Sequence, residues 1–488
     1  MSARAGLRRG WCPSVLRPMP SGDGLLLRLG IPGGAMQAAL ARQIADCARR
    51  FGNGLVDLTR RANLQLRGVC ETALPSLVAR LASLGLVPPE EEPEAACNIM
   101  ASPLAGIDPS AVCDIRPMVM ALRECLASER ALVALPAKFG FLVDDGGEPS
   151  LDDVDADIRF KAMFLPSGPR FLVGLGGHAD AAVTIGSCAA RDLPDAAIAL
   201  ARAFLELRGE EDEAPRRMGN LVGLLGAHAI ARSARALIVA APKQARAPTL
   251  SPRERGCFDE VEAGEGTVPL GILPLSLPSL TRGPPSPARG EGKPPIGFRL
   301  LDKRLGFLGV AAPFGRLASD QLERLAESAE ETRGELRLSP WRAILVTNVT
   351  ASQSEKLSHR FAGSGFITEA SDPRLAVTAC PGSPACLRAT VSTRDDALLL
   401  APLARSFAAE GIGMHLSGCA KGCARSGATC VTLVGHDGRY DLVLDGTTGD
   451  RPRRQGLTAE EAKTALVQII ADRATLAKAR AGNLGRIR

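Results

Sequence analysis

Four cysteines carry most of the chemical information in this chain: Cys380-Pro-Gly-Ser-Pro-Ala-Cys386 and, further on, Cys419-Ala-Lys-Gly-Cys423. Glycine and proline frame both pairs (Pro381, Gly382, Pro384, Gly418, Gly422), and these residues let a backbone turn tightly enough to aim two thiolates at one place. Four thiolates at one place make a metal centre. Structural zinc favours pairs separated by about two to four residues, and the first pair is wider than that. Iron–sulfur cubes also take four Cys thiolates and accept more varied spacing, so the pattern favours a cube over zinc. Four buried structural thiols are the plainer alternative. That reading gives no reason for two Gly/Pro-framed pairs.

The composition bounds what such a centre can belong to. With 488 residues, 45% of them hydrophobic, the chain has material for two to four packed domains. Aromatics are scarce (Phe 14, Trp 2, Tyr 1), so Leu, Val and Ala must fill the interior. The net charge of +6 comes without a long run of like charges, which argues against a nucleic-acid arm. A mild positive balance suits an acidic small molecule, although a solvated surface is the ordinary use of such charge. The cysteine count of 13 is odd in a long chain and points to metal or catalytic use in a reducing compartment. Neither a secretory signal nor an uninterrupted apolar run of ~18 residues is readable, so the expectation is a cytoplasmic protein without a membrane span.

Read in order, the chain repeats itself. Residues 1–90 hold a strand at Gly24–Leu29, a turn at Pro32-Gly-Gly34, and a helix with Met36, Leu40, Ile44 and Cys47 on one face. A strand-spaced run follows from Gly54 to Gly68 (Val56, Leu58, Leu64, Leu66), and then an amphipathic helix from Leu74 to Leu84. The same order returns in 297–365: Pro313-Phe-Gly315, a helix with Leu322, Leu325 and Ala329, then Gly334 to Val346. A duplication of this kind predicts two similar halves about a pseudo-twofold, with a site between them. Residues 91–240 read as a larger α/β lobe with a helix through Met118–Leu126 and a strand at Phe141–Val143; 366–455, with the cysteines, is its counterpart. Pro, Gly, Arg and Ser dominate 241–296, a linker or insertion without a core. A helix in 456–488 is opened by a Thr458-x-x-Glu461 capping box and lined by Ala462, Leu466, Ile469 and Ile470.

The segment Ser417-Gly-Cys-Ala-Lys-Gly-Cys-Ala-Arg425, behind the wider pair, resembles the cluster-binding segment of the nitrite and sulfite reductase family. There the cysteine quartet holds a [4Fe–4S] cube beside a tetrapyrrole. The resemblance covers most of the chain except 241–296. It implies an α+β fold with two ferredoxin-like half-domains and two α/β lobes about a pseudo-twofold, and a cube on Cys380, Cys386, Cys419 and Cys423. Within the family the wording is most similar to the branch that serves aerobic cobalamin synthesis. That similarity implies an oxidoreductase of monooxygenase type acting on precorrin-3A with O2, fed from NADH through a separate reductase, with a mononuclear non-haem iron beside the cube. A siroheme-dependent sulfite or nitrite reductase is the alternative, with Cys423 as the residue matching the bridge to the haem iron. A non-enzymatic electron carrier, cluster sensor or zinc module would have no use for the duplicated halves.

The family's tetrapyrrole carboxylates are held by Arg and Lys, and the resemblance carries two such residues over. Arg61 falls on the arginine of the Thr-Thr-Arg-Gln-Asn-x-Gln motif, and Lys138 on a lysine of Leu-Pro-Arg-Lys-Phe-Lys. Arg337 and Arg342 stand on the second repeat's equivalent stretch. A solvated strand charge is the plain reading of each. Ala137 and Gly140 replace basic residues of the reductase motif, and Cys97 stands before Asn98 where the reductases have an arginine. Of the five histidines (His178, His228, His359, His415, His436), none forms a local pair with a carboxylate that would mark a facial triad; His415, just before Cys419, is the one to watch. Gly174-Leu-Gly-Gly-His-Ala179 satisfies a loose dinucleotide fingerprint, but the short Gly-ended segment after it is a poor helix start.

Overall fold

The computed structural model describes residues 13–87, 98–166, 168–209, 214–240, 294–408 and 411–484. Of the expected linker only 294–296 are among them, and Cys97 and Cys257 lie outside the described residues. The first half runs β1 (Met19–Ser21), β2 (Gly24–Leu29), β3 (Ala35–Met36), α1 (Ala38–Phe51), β4 (Leu55–Leu58), β5 (Leu64–Val69) and α2 (Leu74–Ser83). Helix α1 buries Ala41, Ile44, Ala45 and Ala48 at helical spacing, and Gly52 ends it. In the β4–β5 hairpin Val56 stands opposite Leu66 and Leu58 opposite Leu64, so alternate residues line one buried face.

The first lobe holds β6 (Ile99–Ala101), α3 (Arg116–Ser128), β7 (Phe141–Asp144), β8 (Ala156–Leu165), β9 (Gly168–Gly177), β10 (Val183–Ala189), α4 (Leu193–Arg208), α5 (Met218–Leu225) and α6 (Ala227–Ala231). The second half repeats the first as β11 (Gly297–Leu300), β12 (Leu305–Ala311), β13 (Arg316–Ala318), α7 (Ser319–Glu331), β14 (Leu336–Leu338), β15 (Ala343–Thr350) and α8 (Ala351–Gly363). The second lobe holds β16 (Val377–Ala379), α9 (Thr393–Ala404), β17 (Met414–Ser417), β18 (Thr429–His436), β19 (Arg439–Gly446), β20 (Arg454–Leu457) and α10 (Ala459–Leu484).

The halves interlock. Strand β3 leaves its own half and pairs with β14, Met36 opposite Leu336, while β13 pairs with β4, Leu317 opposite Val56. Met36, expected on the helix, therefore belongs to the other half's sheet. Gly34 (φ 69°) and Gly315 (φ 78°) make this exchange possible: a Cβ would stand 3.1 Å from the Leu338 carbonyl oxygen at the first and 2.9 Å from that of Leu58 at the second. Helices α1 and α7 pack together, and one hydrophobic core runs through both halves, from Leu27, Ile44 and Leu66 to Leu322, Leu336 and Val346. Truncating any of these buried leucines to Ala would cost about 2–5 kcal/mol.

The lobes have matching sheets, in the orders β6-β7-β8-β9-β10 and β16-β17-β18-β19-β20, each with two parallel pairings followed by two antiparallel ones. Strands β7 and β17 are buried throughout, as interior parallel strands are. The glycines at 174–177 lie in β9, antiparallel to β8, so no β-α-β crossover exists there. The capping box forms: Thr458 N–H donates to Glu461 at 2.8 Å, and Glu461 N–H to Thr458 Oγ1 at 3.2 Å. Strand β20, just before it, was not expected from the sequence. Among the described residues no helix is long and apolar enough to cross a membrane.

Candidate metal centre and arginine-lined cleft

Strands β16 and β17 are adjacent and parallel, Ala379 opposite Leu416, and the cysteine loops begin where they end. Both loops therefore leave the carboxyl edge of the sheet, the place where open α/β sheets hold ligands. Cys380 is buried, Cys386 and Cys419 are half-buried and Cys423 is exposed. Gly418 N–H donates to Cys380 Sγ at 3.1 Å, which favours the thiolate. A Cβ at Gly418 would come within 2.6 Å of Ala389 Cβ, and Gly382 and Gly422 adopt φ of 70° and 62°, so the three glycines are needed where they stand.

Cys423 is open to solvent on one side, yet desolvation raises its thiol pKa, Lys421 opposes this, and Cys419, Cys380 and Cys386 push it further up. The parallel pairing of β16 and β17 and the contact between Gly418 and Cys380 bring the two cysteine loops together. Among the described residues no three His, Cys, Asp or Glu side chains converge as a single-ion site would require. Zinc draws its sulfurs to about 2.3 Å from one ion. A cube takes one thiolate at each corner and spreads its ligands wider. The donor set fits a cube held by Cys380, Cys386, Cys419 and Cys423.

The first half clamps the wider loop. Ser21 Oγ donates to the Ala385 carbonyl at 2.6 Å, and a Cβ at Gly22 would stand 1.9 Å from the Pro384 carbonyl oxygen. The buried Arg67 donates to the Ala385 carbonyl at 2.7 Å and to both oxygens of Asp23 at 2.9 Å. Behind it Asp57 receives Arg316 at 2.8 Å, Arg394 at 2.9 Å and Arg67 at 3.4 Å. Burial alone would raise the Asp57 carboxyl; Arg394 and Arg316 outweigh it and hold the group well below the usual carboxylate range. Arg60 reaches the narrower loop, donating to the Ala424 carbonyl at 3.3 Å. Sequence reading missed this network, because a charge on a strand gives no sign of its partner in another domain.

Two adjoining cavities, of about 470 and 600 Å³, share Arg60, Pro340 and Trp341. The first also presents Arg299, Arg342, Arg374 and Arg405; the second presents Arg61, Arg217 and Arg425, with Asp153, Asp155 and Asp157 on the first lobe's side. The turns at 59–63 and 339–343 furnish the shared wall and are equivalents in the two halves. Thr59 N–H donates to the Asn63 carbonyl at 2.9 Å and Ser339 N–H to that of Ala343 at 3.0 Å, with Ala62 and Arg342 in the left-handed region at φ 54° and 59°. Of the expected ligand residues, Arg342 lines the first cavity and Arg61 the second. Lys138 does not line it: its side chain is exposed, and its carbonyl accepts from Arg61. Arg337 is 1% exposed, pairs with Glu335 at 2.9 Å and donates to the carbonyls of Pro103 and Ala105 at 3.3 Å, so it anchors the first lobe's loop. Arg60 could have been suspected as the neighbour of Arg61. Arg299, Arg374, Arg405 and Arg425 give no such sign.

His415 is fully buried on β17, between Thr378 of β16 and Thr432 of β18. Its neighbours Met414 and Leu416 point into the lobe's core, so strand alternation turns His415 to the other face. Neither ring nitrogen has a hydrogen-bond partner among the described residues. Burial first, then Arg425, Arg60 and Arg342, push its pKa down to about 4. The mononuclear iron implied by resemblance asks for His and carboxylate ligands together. The charges acting on His415 are all guanidiniums, and the described residues do not supply that cage.

Comparison with known proteins agrees with this architecture. The Nitrite/Sulfite reductase ferredoxin-like half domain matches twice, at residues 17–84 and 302–363. Both halves are thus similar to the ferredoxin-like half domain of nitrite and sulfite reductases. A precorrin-3B synthase of a Sinorhizobium species is 28% identical over 448 residues, 92% of this chain and 85% of that protein. A ferredoxin–nitrite reductase of Synechococcus elongatus is 25% identical over 96% of this chain and 89% of its own length. The structure of the Mycobacterium tuberculosis NirA protein covers 90% of this chain and 79% of its own, with a TM-score of 0.67 at 19% identity, and shares the fold.

Proposed function

We propose that the chain is a precorrin-3B synthase: an O2-dependent monooxygenase that hydroxylates precorrin-3A and closes its γ-lactone in aerobic cobalamin synthesis. The observation that carries this reading is a cleft between the two halves, lined by arginines from both, in a chain similar to a precorrin-3B synthase over nearly its whole length. Arg61 and Arg342, with Arg60 and Arg425, pair with the macrocycle's carboxylates, for which the planar guanidinium is suited by its bidentate fork. Trp341 and Pro340 give the ring an apolar wall. When bound on Cys380, Cys386, Cys419 and Cys423, a [4Fe–4S] cube supplies single electrons. NADH provides two of them through a separate reductase; one oxygen atom enters the product and the other leaves as water.

A second reading, a siroheme-dependent sulfite or nitrite reductase, is supported by the nitrite reductase relatives. There the exposed Cys423 would bridge the cube to a haem iron. One measurement separates the two: the visible spectrum, with iron and acid-labile sulfide counts, of protein purified without oxygen. Sharp siroheme bands beside the cube would overturn the synthase. Broad iron–sulfur absorption without haem, followed by conversion of added precorrin-3A only when O2 and a reductant are present, is the expected result.

A further inference from the structure

A buried imidazole with neither nitrogen bonded has given up water without replacement, and such groups are rare in folded proteins. His415 is one. Thr378, its partner on β16, lines the first cavity together with Arg60 from the turn at 59–63 and Arg342 from the turn at 339–343, and Arg425 from the loop after Cys423 joins these two in the positive field at the imidazole. Thr378 and Thr432 flank it on the neighbouring strands, and the Thr432 hydroxyl donates to the Gly446 carbonyl at 2.7 Å. A guanidinium offers donors and no acceptor, whereas a neutral imidazole carries one of each. The arginines can therefore satisfy the acceptor nitrogen of His415 but never its N–H. What completes the set is a group that brings acceptors and negative charge.

We propose that His415 and the guanidiniums of Arg60, Arg342 and Arg425 form one anion pocket, in which His415 donates a ring N–H to an oxyanion that the arginines also bind. The assignment rests on the reading of the cleft as a ligand site. Two sources share this chemistry: a carboxylate of the tetrapyrrole, or a free oxyanion such as nitrite or sulfite. An anion in the pocket offsets the field of the three cations that keeps the imidazole neutral. Binding thus draws a proton from solvent onto His415.

The test uses protein purified with its cluster, and three probes: metal-free uroporphyrin, followed by its fluorescence, and nitrite and sulfite, followed by calorimetry. Uroporphyrin should bind the native protein and bind His415→Leu about tenfold more weakly or worse, the loss expected for a hydrogen bond to a charged group. His415→Gln, which keeps a donor, should recover part of that affinity. Near pH ~6 native binding heats should vary with the ionisation heat of the buffer, reporting proton uptake, and those of both variants should not. If nitrite or sulfite binds through His415 and uroporphyrin does not, the pocket stands with a small oxyanion as its ligand, and the tetrapyrrole reading fails. Native-like affinity and proton uptake in His415→Leu would overturn the pocket, as would failure of the native protein to bind any probe. Should His415→Leu not fold, His415→Gln decides: lost proton uptake upholds the pocket, and unchanged uptake sinks it.

Discussion

The two lobes are built alike and differ in what stands at the carboxyl edge of their first two strands. After β16 comes Cys380, whose sulfur accepts the Gly418 N–H at 3.1 Å; after β6 comes Ser102, whose hydroxyl accepts the Asp145 N–H at 2.9 Å. The same backbone contact is made in both lobes, once to a thiol and once to an alcohol. Each first loop is also held by a buried arginine from a half domain, Arg67 on the Ala385 carbonyl and Arg337 on those of Pro103 and Ala105. Just before the place of the second thiol pair, where one lobe has Ser417 and Gly418, the other has the buried Asp144 and Asp145, turned inward to accept the N–H groups of Gly146 and Gly147 at 2.9 Å. The scaffold is shared, and the side chains placed on it are what suit one copy to a metal centre.

The largest test of that comparison is Cys380→Ser, which gives the thiol-bearing lobe the other lobe's hydroxyl class. It should lose most of its iron and acid-labile sulfide. Cys188→Ser should lose none, since burial pushes that thiol up to about 12 and leaves it a protonated core residue. Equal metal loss in both would sink the assignment of the quartet.

Next come the two loop-holding arginines. Arg67→Met takes the guanidinium from Asp23 and leaves the Ala385 carbonyl to Ser21 alone, and Arg337→Met takes the guanidinium from Glu335 and from two carbonyls, so each should cost about 3–5 kcal/mol in urea unfolding. Only Arg67→Met should also hasten sulfide loss to a chelator, because only its loop carries cysteines. Gly22→Ala, which drives a methyl into the Pro384 carbonyl, should share that second effect.

The lobes should also respond to acid with opposite sign. Burial lifts the Asp145 carboxyl to about 6, above its unfolded value, so the stability it lends is present in acid and lost as pH rises from about 4 to about 6. His415, pushed down to about 4, takes up its proton more readily unfolded; stability therefore falls as pH drops from about 6.5 to about 4. Each contributes up to about 3 kcal/mol. Asp145→Asn should remove the first slope and His415→Gln the second, read from urea midpoints across that range. The smallest effect belongs to α10, where Thr458→Ala should cost about 1 kcal/mol and leave both lobes' chemistry alone.

Much of this was legible beforehand because it is local. The cysteine pairs with their turn residues, the 3.6-residue faces of α1 and α7, the alternating β4–β5 run and the capping box at Thr458 each lie within one short stretch. The exchange of β3 and β13 was not, since two or three residues carry too little periodicity to reveal which sheet they join. Arg337 and Lys138 looked like ligand residues for a similar reason: residue type says that a cation is present and nothing about where its side chain ends.

The sequence by itself determined the element order, the duplication and the four thiols that can hold a cube. The tertiary structure decided which charges face the cleft, which are spent on carbonyls and carboxylates, and that His415 lies buried within the field of three arginines. The physical reason is range. Turn and helix preferences act over a few residues, whereas a guanidinium's partner is set by long-range packing, as between Arg67 and the loop at Ala385.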